Sequence, residues 1–176
     1  MLNKLKDIST FVFDVDGVLT NGNILVTETG EQLRQYSIKD GYAIQLALKK
    51  GYQVCIITGA KTDAVALRLK GLGIQYVYLG ASYKLPLFED FLSKTGLKRD
   101  EIVYVGDDLP DQEIMEQVAI SVCPADAVDE IKAISTYISP KLGGAGVVRD
   151  IIEKVLKVQG KWFIDHPSAD DGSLKK

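Results

Sequence analysis

The sequence predicts an α/β fold, a doubly wound parallel sheet with a protruding β-hairpin. Runs that are apolar, β-branched or aromatic throughout recur at 11–15, 54–58, 76–79, 102–106 and 120–122. Strands of that composition are covered on both faces. Segments of helical period lie between them, at 42–50, 63–72, 85–95 and 112–118, the alternation of a parallel sheet with crossover helices. Chemistry-bearing residues stand at the ends of three of these runs, Asp14, Thr58 and Asp107. In open α/β sheets ligands bind at that edge.

The first run ends in Asp14-Val15-Asp16-Gly17-Val18. Two carboxylates at the close of a buried strand are costly unless they hold a cation or do chemistry. Next, Asn23-Ile24-Leu25-Val26 and Gln32-Leu33-Arg34-Gln35-Tyr36-Ser37 flank Glu28-Thr29-Gly30-Glu31, a predicted hairpin over about 23–37. It reads either as a surface flap or as an oligomerisation element, because two strands alone are marginally stable and gain from added pairing. Gly51, Gly73 and Gly96 follow the first three helical segments, where a left-handed residue closes a helix. Pro86 falls near a helix start, where proline is tolerated. Cys55 and Cys123 sit in strand-like runs with no zinc spacing and read as small core residues. After Gln159 the pattern dissolves, so the predicted domain is 1–160 and 161–176 is a tail. That tail holds the single histidine, His166, beside a proline, with nothing to orient it as a base.

A chain of 176 residues, 46% hydrophobic and 26% charged, fits one soluble domain with a full core. The net charge of −3 gives no general attraction to nucleic acid or anionic membrane. No apolar stretch reaches the roughly 18 residues of a spanning helix, and the opening lysines lead into no signal-type core. The expected location is the cytoplasm. An anionic substrate must then be attracted locally, by a metal or by a few placed cations.

Residues i and i+2 of an extended chain face one side, so Asp14 and Asp16 can address one phosphoryl group. A carboxylate can attack phosphorus and form an aspartyl phosphate, while the other moves protons for the leaving oxygen and the incoming water. Repulsion between carboxylates and phosphate calls for a hard cation, and oxygen donors without histidine or cysteine favour magnesium. Lys84 adds a fixed positive charge, and the Thr58 hydroxyl with backbone N–H groups about Gly59 can hold further oxygens. Each part has a plain alternative: a polar turn, a strand end, a solvated lysine, a helix cap at Asp107-Asp108. Four of them in order, each at a strand end or just beyond, argue for one magnesium-dependent phosphoryl-transfer site.

Asp14-Val15-Asp16-Gly17, Thr58, Lys84 and Gly106-Asp107-Asp108-Leu109-Pro110-Asp111 resemble the four motifs of the haloacid dehalogenase-like superfamily. The resemblance implies a Rossmann-like fold, Asp14 as nucleophile and Asp16 as acid/base. It also implies Thr58 and Lys84 as phosphate-site residues. Asp14, the Asp16 backbone carbonyl and Asp107 would be the magnesium ligands. Asp111 would orient neighbours, and Asp108 would do either. The intervals between motifs are too short for an inserted cap, since domains rarely run below about 50 residues. An uncapped site favours a macromolecular substrate or a lid from a neighbouring subunit.

From about Phe11 to Lys161 the likeness narrows. Asp14 through Gly22, the hairpin, Lys39-Asp40-Gly41, Gly143-Gly144-Ala145-Gly146 and Val158-Gln159-Gly160-Lys161 resemble the 3-deoxy-D-manno-octulosonate 8-phosphate phosphatases. The implied substrate is a small keto-deoxy sugar acid phosphate. The implied assembly is a homotetramer whose hairpins pair into a barrel, with the tail at 162–167 as a lid over a neighbour's site. One departure stands out: the family arginine after Thr58-Gly59 is here Ala60, followed by Lys61. An arginine there suits charged substrate groups, so Lys61, Arg68 or Arg149 becomes the candidate replacement. Phosphatases of nine-carbon sugar-acid 9-phosphates carry an acidic residue at that point, and Ala60 matches neither pattern. Two other classes compete. A signalling receiver domain would place its phosphorylated Asp at the third strand's end, whereas the counterpart run here ends in Thr58. A non-catalytic oligomerisation module of the same fold can lose motif residues, whereas all four motifs stand here.

Overall fold

Phe11 and Phe13 pack into one buried cluster and Val12 into another, and this alternation along the first strand separates two helical layers. The computed structural model describes residues 2–162. In chain order the elements begin with β1 (Thr10–Phe13), β2 (Leu25–Val26), β3 (Gln32–Leu33), α1 (Ile38–Lys49) and β4 (Gln53–Ile57). Then come α2 (Asp63–Gly71), β5 (Tyr76–Tyr78), α3 (Leu85–Thr95), β6 (Ile102–Val105) and α4 (Gln112–Met115). The last are β7 (Ile120–Cys123), α5 (Asp129–Ile134), β8 (Tyr137–Ile138) and α6 (Val147–Val158).

Six strands form one sheet in the order β5-β4-β1-β6-β7-β8, and every pairing in it is parallel. Val54, Ile56, Val103 and Val105 join the cluster that buries α1, α2 and α6. Cys55, Ile57, Ile102 and Tyr104 join the one that buries α3, α4 and α5. The doubly wound sheet is therefore as the sequence predicts, and no cap domain is inserted among the described residues. β1 lies between β4 and β6, with Phe13 level with Ile56 and Val105. That register brings the residues after these three strands to one edge.

Several boundaries differ from the sequence expectations. The hairpin forms, but its paired arms are only β2 and β3, with Leu25 opposite Leu33 and Val26 opposite Gln32. Beyond Leu33 the chain leaves the ribbon and turns inward, where Arg34 meets Asp16. α1 begins at Ile38 because the Ser37 Oγ accepts from the Asp40 N–H and caps it. The segment expected at 112–118 is helical only through Met115, after a 3-10 turn at Leu109–Asp111. α5, β8 and α6 were not anticipated. α6 buries Val147, Val148, Ile151, Ile152, Val155 and Leu156, a helical stripe that the chain does spell out.

Lys39-Asp40-Gly41 and Gly143-Gly144-Ala145-Gly146 are joined here. The Asp40 carboxylate accepts from the Gly146 N–H at 3.1 Å and from the Arg149 N–H at 2.7 Å, capping α6 from a different helix. The glycine run lies against the acidic loop: a Cβ on Gly143 would stand 2.0 Å from the Gly17 carbonyl oxygen. Only glycine allows that approach. The expectations that fall on the tail beyond 162, His166 and the lid among them, lie outside the described residues.

Candidate active site

The loop after β1 is wound around one carbonyl. Val18, Leu19 and Thr20 all donate their N–H groups to the Val15 oxygen. The Thr20 hydroxyl oxygen accepts from the Gly17 and Gly22 amides. This tight turn needs φ of +87° at Gly17, and a Cβ there would lie 1.9 Å from Asp107 Oδ2. Gly17 thus lets the acidic loop and the loop after β6 approach each other.

A cleft of about 320 Å³ opens at this edge, lined among others by Asp14, Asp16, Thr58, Gly59, Lys84 and Asp107. The structure therefore brings six of the eight candidate site residues to one place. Lys84, just before α3, is buried and lies 3.0 Å from Asp14 Oδ1 and 2.6 Å from Asp111 Oδ1. Asp111 also accepts from the Tyr104 hydroxyl at 2.6 Å, and its second oxygen accepts from the Asp107 N–H at 3.1 Å. Asp111 is thereby fixed from three sides and orients both Lys84 and the loop of Asp107. Thr58 is buried, and its Oγ1 accepts from the Ala60 N–H at 3.2 Å.

Electrostatics follow from this crowding. Burial, with the Asp111 charge second, pushes Asp14 up to about 7 against the pull of Lys84. Burial, then the Asp14 and Asp111 charges, pushes Asp107 up to about 8. Burial works against the Lys84 ammonium, but Asp14 and Asp111 outweigh it and raise its pKa. The pocket holds more negative charge than one lysine balances.

Carboxylate oxygens of Asp14, Asp107 and Asp111 lie within 4.8 Å of one another. Asp107 Oδ1 is buried with no hydrogen-bond partner among the described residues. An all-oxygen donor set with an orphaned carboxylate oxygen fits a hard divalent cation. The Asp16 side chain is turned away from this cluster. Its two oxygens accept from Arg34 Nε at 2.7 Å and Nη2 at 3.0 Å, and this bond, Asp16 first, raises the Arg34 pKa. Arg34 and Tyr104 were not singled out by sequence reasoning. A lone tyrosine inside the aliphatic run 102–105 was the available signal for Tyr104; nothing in the sequence ties Arg34 to Asp16.

Asp16 and Gly59 also line a second cavity of about 560 Å³, between the hairpin and the loop after β4, with Ile24, Arg34, Ala60, Lys61 and Thr62. Lys61 is thus beside the site but not in the acidic cleft. Arg68 lies elsewhere: its guanidinium stands 5.8 Å from the Tyr36 ring centroid, and it lines neither cavity. Arg149 stacks over the Trp162 ring at 5.3 Å.

Residues 83–151 match the haloacid dehalogenase-like hydrolase family. The chain is 40% identical over 161 residues to a 3-deoxy-D-manno-octulosonate 8-phosphate phosphatase of Salmonella typhi, covering 92% of this chain and 86% of that one. The crystal structure of the phosphatase of that name from Yersinia pestis superposes with a TM-score of 0.90 at 33% identity, over 92% of this chain and 87% of that one. The enzyme from Moraxella catarrhalis, solved with magnesium, phosphate and the sugar acid, superposes with a TM-score of 0.88 at 32% identity, over 92% of each chain.

Proposed function

The chain belongs to the 3-deoxy-D-manno-octulosonate 8-phosphate phosphatase family of haloacid dehalogenase-like hydrolases, and we propose that it releases phosphate from that ester with Asp14 as nucleophile. The observation that carries the reading is the cluster of buried Asp14, Lys84 and Asp111 with half-buried Asp107, in which the lysine before α3 meets the carboxylates that follow β1 and β6. Magnesium is the cofactor; the Asp14 and Asp107 carboxylates and the Asp16 backbone carbonyl would hold it, and bound there it would orient the phosphoryl oxygens and neutralise their developing charge.

The Asp14 carboxylate attacks phosphorus, the bond from phosphorus to the sugar C8 oxygen breaks, and Asp16 gives that oxygen its proton. The product at this stage is the free sugar acid and a phosphoryl group on Asp14. Asp16, now ionised, takes a proton from water, whose oxygen attacks phosphorus and frees Asp14 and inorganic phosphate. Lys84, 3.0 Å from Asp14 Oδ1, offsets the repulsion between carboxylate and phosphate. The Thr58 hydroxyl and the amides near Gly59 receive the remaining phosphoryl oxygens. Arg34 orients Asp16 through its paired hydrogen bonds.

The working enzyme is a homotetramer built through the hairpins. Ile24, Leu25, Val26 and Leu33 are exposed on a two-stranded ribbon, an apolar surface that pairing between copies would cover. Its location is cytoplasmic, in keeping with two free, buried cysteines. No helix among the described residues is long and apolar enough to cross a membrane.

Phosphate release measured with magnesium, side by side from octulosonate 8-phosphate and a nine-carbon keto-deoxy sugar acid 9-phosphate, tests the reading. A large preference for the eight-carbon ester is expected. Preference for the nine-carbon ester would reassign the substrate, and turnover of neither would remove it.

A further inference from the structure

β6 carries a hydroxyl where packing asks for none. The Tyr104 side chain is fully buried in the apolar cluster that includes Val12, Phe88 and Phe91, and a phenylalanine would fill the same space. A buried hydroxyl is costly unless it is hydrogen-bonded. Here the O–H donates to Asp111 Oδ1 at 2.6 Å. Burial, then the Asp111 and Asp14 charges, hold the Tyr104 pKa well above the ordinary phenol range, so the group stays a neutral donor.

Asp111 is saturated by its partners. Its Oδ1 accepts from Tyr104 and from Lys84 Nζ, each at 2.6 Å. Its Oδ2 accepts from the Asp107 N–H at 3.1 Å and the Asp108 N–H at 3.5 Å. A carboxylate offers about four acceptor positions, so Asp111 keeps none for a cation. Gly106 makes the room, because a Cβ there would overlap the Asp111 side chain. Lys84 thus gives its directed hydrogen bond to Asp111. Its Nζ also stands 3.0 Å from Asp14 Oδ1, yet that buried oxygen receives no hydrogen bond among the described residues. The ammonium lies beside the Asp14 carboxylate without tying it down.

We propose that Tyr104 is a positioning residue for phosphoryl transfer: its hydroxyl fixes Asp111, and Asp111 holds Lys84 with its charge beside an Asp14 carboxylate left unbonded. The tyrosine touches neither the substrate nor the reacting atoms. The inference rests on the reading of Asp14 as nucleophile. Without the hydroxyl, Asp111 Oδ1 keeps only Lys84, and the pair can shift together until the ammonium bonds Asp14 directly. A carboxylate that accepts such a bond is a weaker nucleophile. The positive charge that attracts phosphate meanwhile stays in the cleft. The loss therefore falls on turnover and spares phosphate affinity.

Tyr104→Phe keeps the ring and removes only the oxygen. Hydrolysis of p-nitrophenyl phosphate by the full chain with magnesium tests it whichever sugar acid is the substrate. The kcat is expected to fall about tenfold, the scale of one hydrogen bond to a charged group, while the Ki of inorganic phosphate moves by less than about twofold. Asp111→Asn should lower kcat as well. In that background Tyr104→Phe should add no further loss, because a residue acting through another is not additive with it. Phe91→Leu, in the same apolar cluster, reports general core damage and should lower the melting temperature with kcat unchanged. Equal losses from Tyr104→Phe in both backgrounds, a phosphate Ki rising in step with the fall in kcat, or a matching loss of kcat in Phe91→Leu overturns the positioning role and leaves Asp14 as nucleophile. Absence of turnover in the wild type overturns both.

Discussion

Arg34 grips Asp16 through two hydrogen bonds, Nε to Oδ1 at 2.7 Å and Nη2 to Oδ2 at 3.0 Å. The arginine follows β3 at the root of the hairpin, and the aspartate lies in the loop after β1. The hairpin, which exposes apolar side chains, is therefore tied to the aspartate proposed to move protons.

Removing the grip should show in the chemistry. Arg34→Ala is expected to lower kcat on the sugar phosphate by about tenfold or more, a part of the 10²–10⁴ that a placed acid/base contributes. The loss on p-nitrophenyl phosphate should be smaller, because its leaving group needs little protonation. Equal losses on both esters would reduce Arg34 to a structural residue.

Asp14→Asn removes the proposed nucleophile and should cut turnover by at least about 10³-fold, leaving no covalent route to an aspartyl phosphate. Lys84 retains Asp111 at 2.6 Å, so the fold should persist by circular dichroism. Retained turnover would exclude Asp14 as nucleophile.

The raised carboxylates set a pH signature. Unfolded aspartates titrate near 3.9, whereas Asp14 and Asp107 are pushed up to about 7 and about 8. The folded state therefore holds protons that the unfolded state has released, and stability present at low pH is lost as pH rises through 7 to 8. Magnesium replaces those protons, so its stabilising effect must grow over the same interval. Melting curves at pH 6 and 8.5, each with chelator and with magnesium, are expected to show the larger magnesium increment at 8.5. A larger increment at pH 6 would contradict the origin assigned to the shifts.

Asp40→Ala uncaps α6 from a distance. The Gly146 and Arg149 amides lose their acceptor, at a cost of about 1–2 kcal/mol. The melting temperature should fall by about 2–8 °C, and the glycine run against the Gly17 carbonyl should loosen with it. An unchanged melting temperature would mean that water replaces the cap without loss.

Leu25 is 67% exposed and pairs across the ribbon with Leu33. Leu25→Asp should shift the mass in solution toward smaller species by light scattering. An unaltered mass would remove the hairpin from the interface.

The sequence by itself determined the layered sheet, since apolar runs and helical periods are local patterns that survive without knowledge of the fold. It also determined Asp14, Thr58, Lys84 and Asp107 as one constellation, because parallel topology sends every strand end to one edge. Lys39-Asp40-Gly41 and Gly143-Gly144-Ala145-Gly146 were visible as motifs, but their meeting as cap and helix start was not. Only the tertiary structure decided that Arg34 belongs to Asp16, that Asp111 is anchored by Tyr104, and that Arg68 faces Tyr36 rather than the cleft. These are pairings between side chains distant in sequence or projected from different elements. Their partners are chosen by packing and by the expense of leaving a buried charge alone, and no local pattern records that choice.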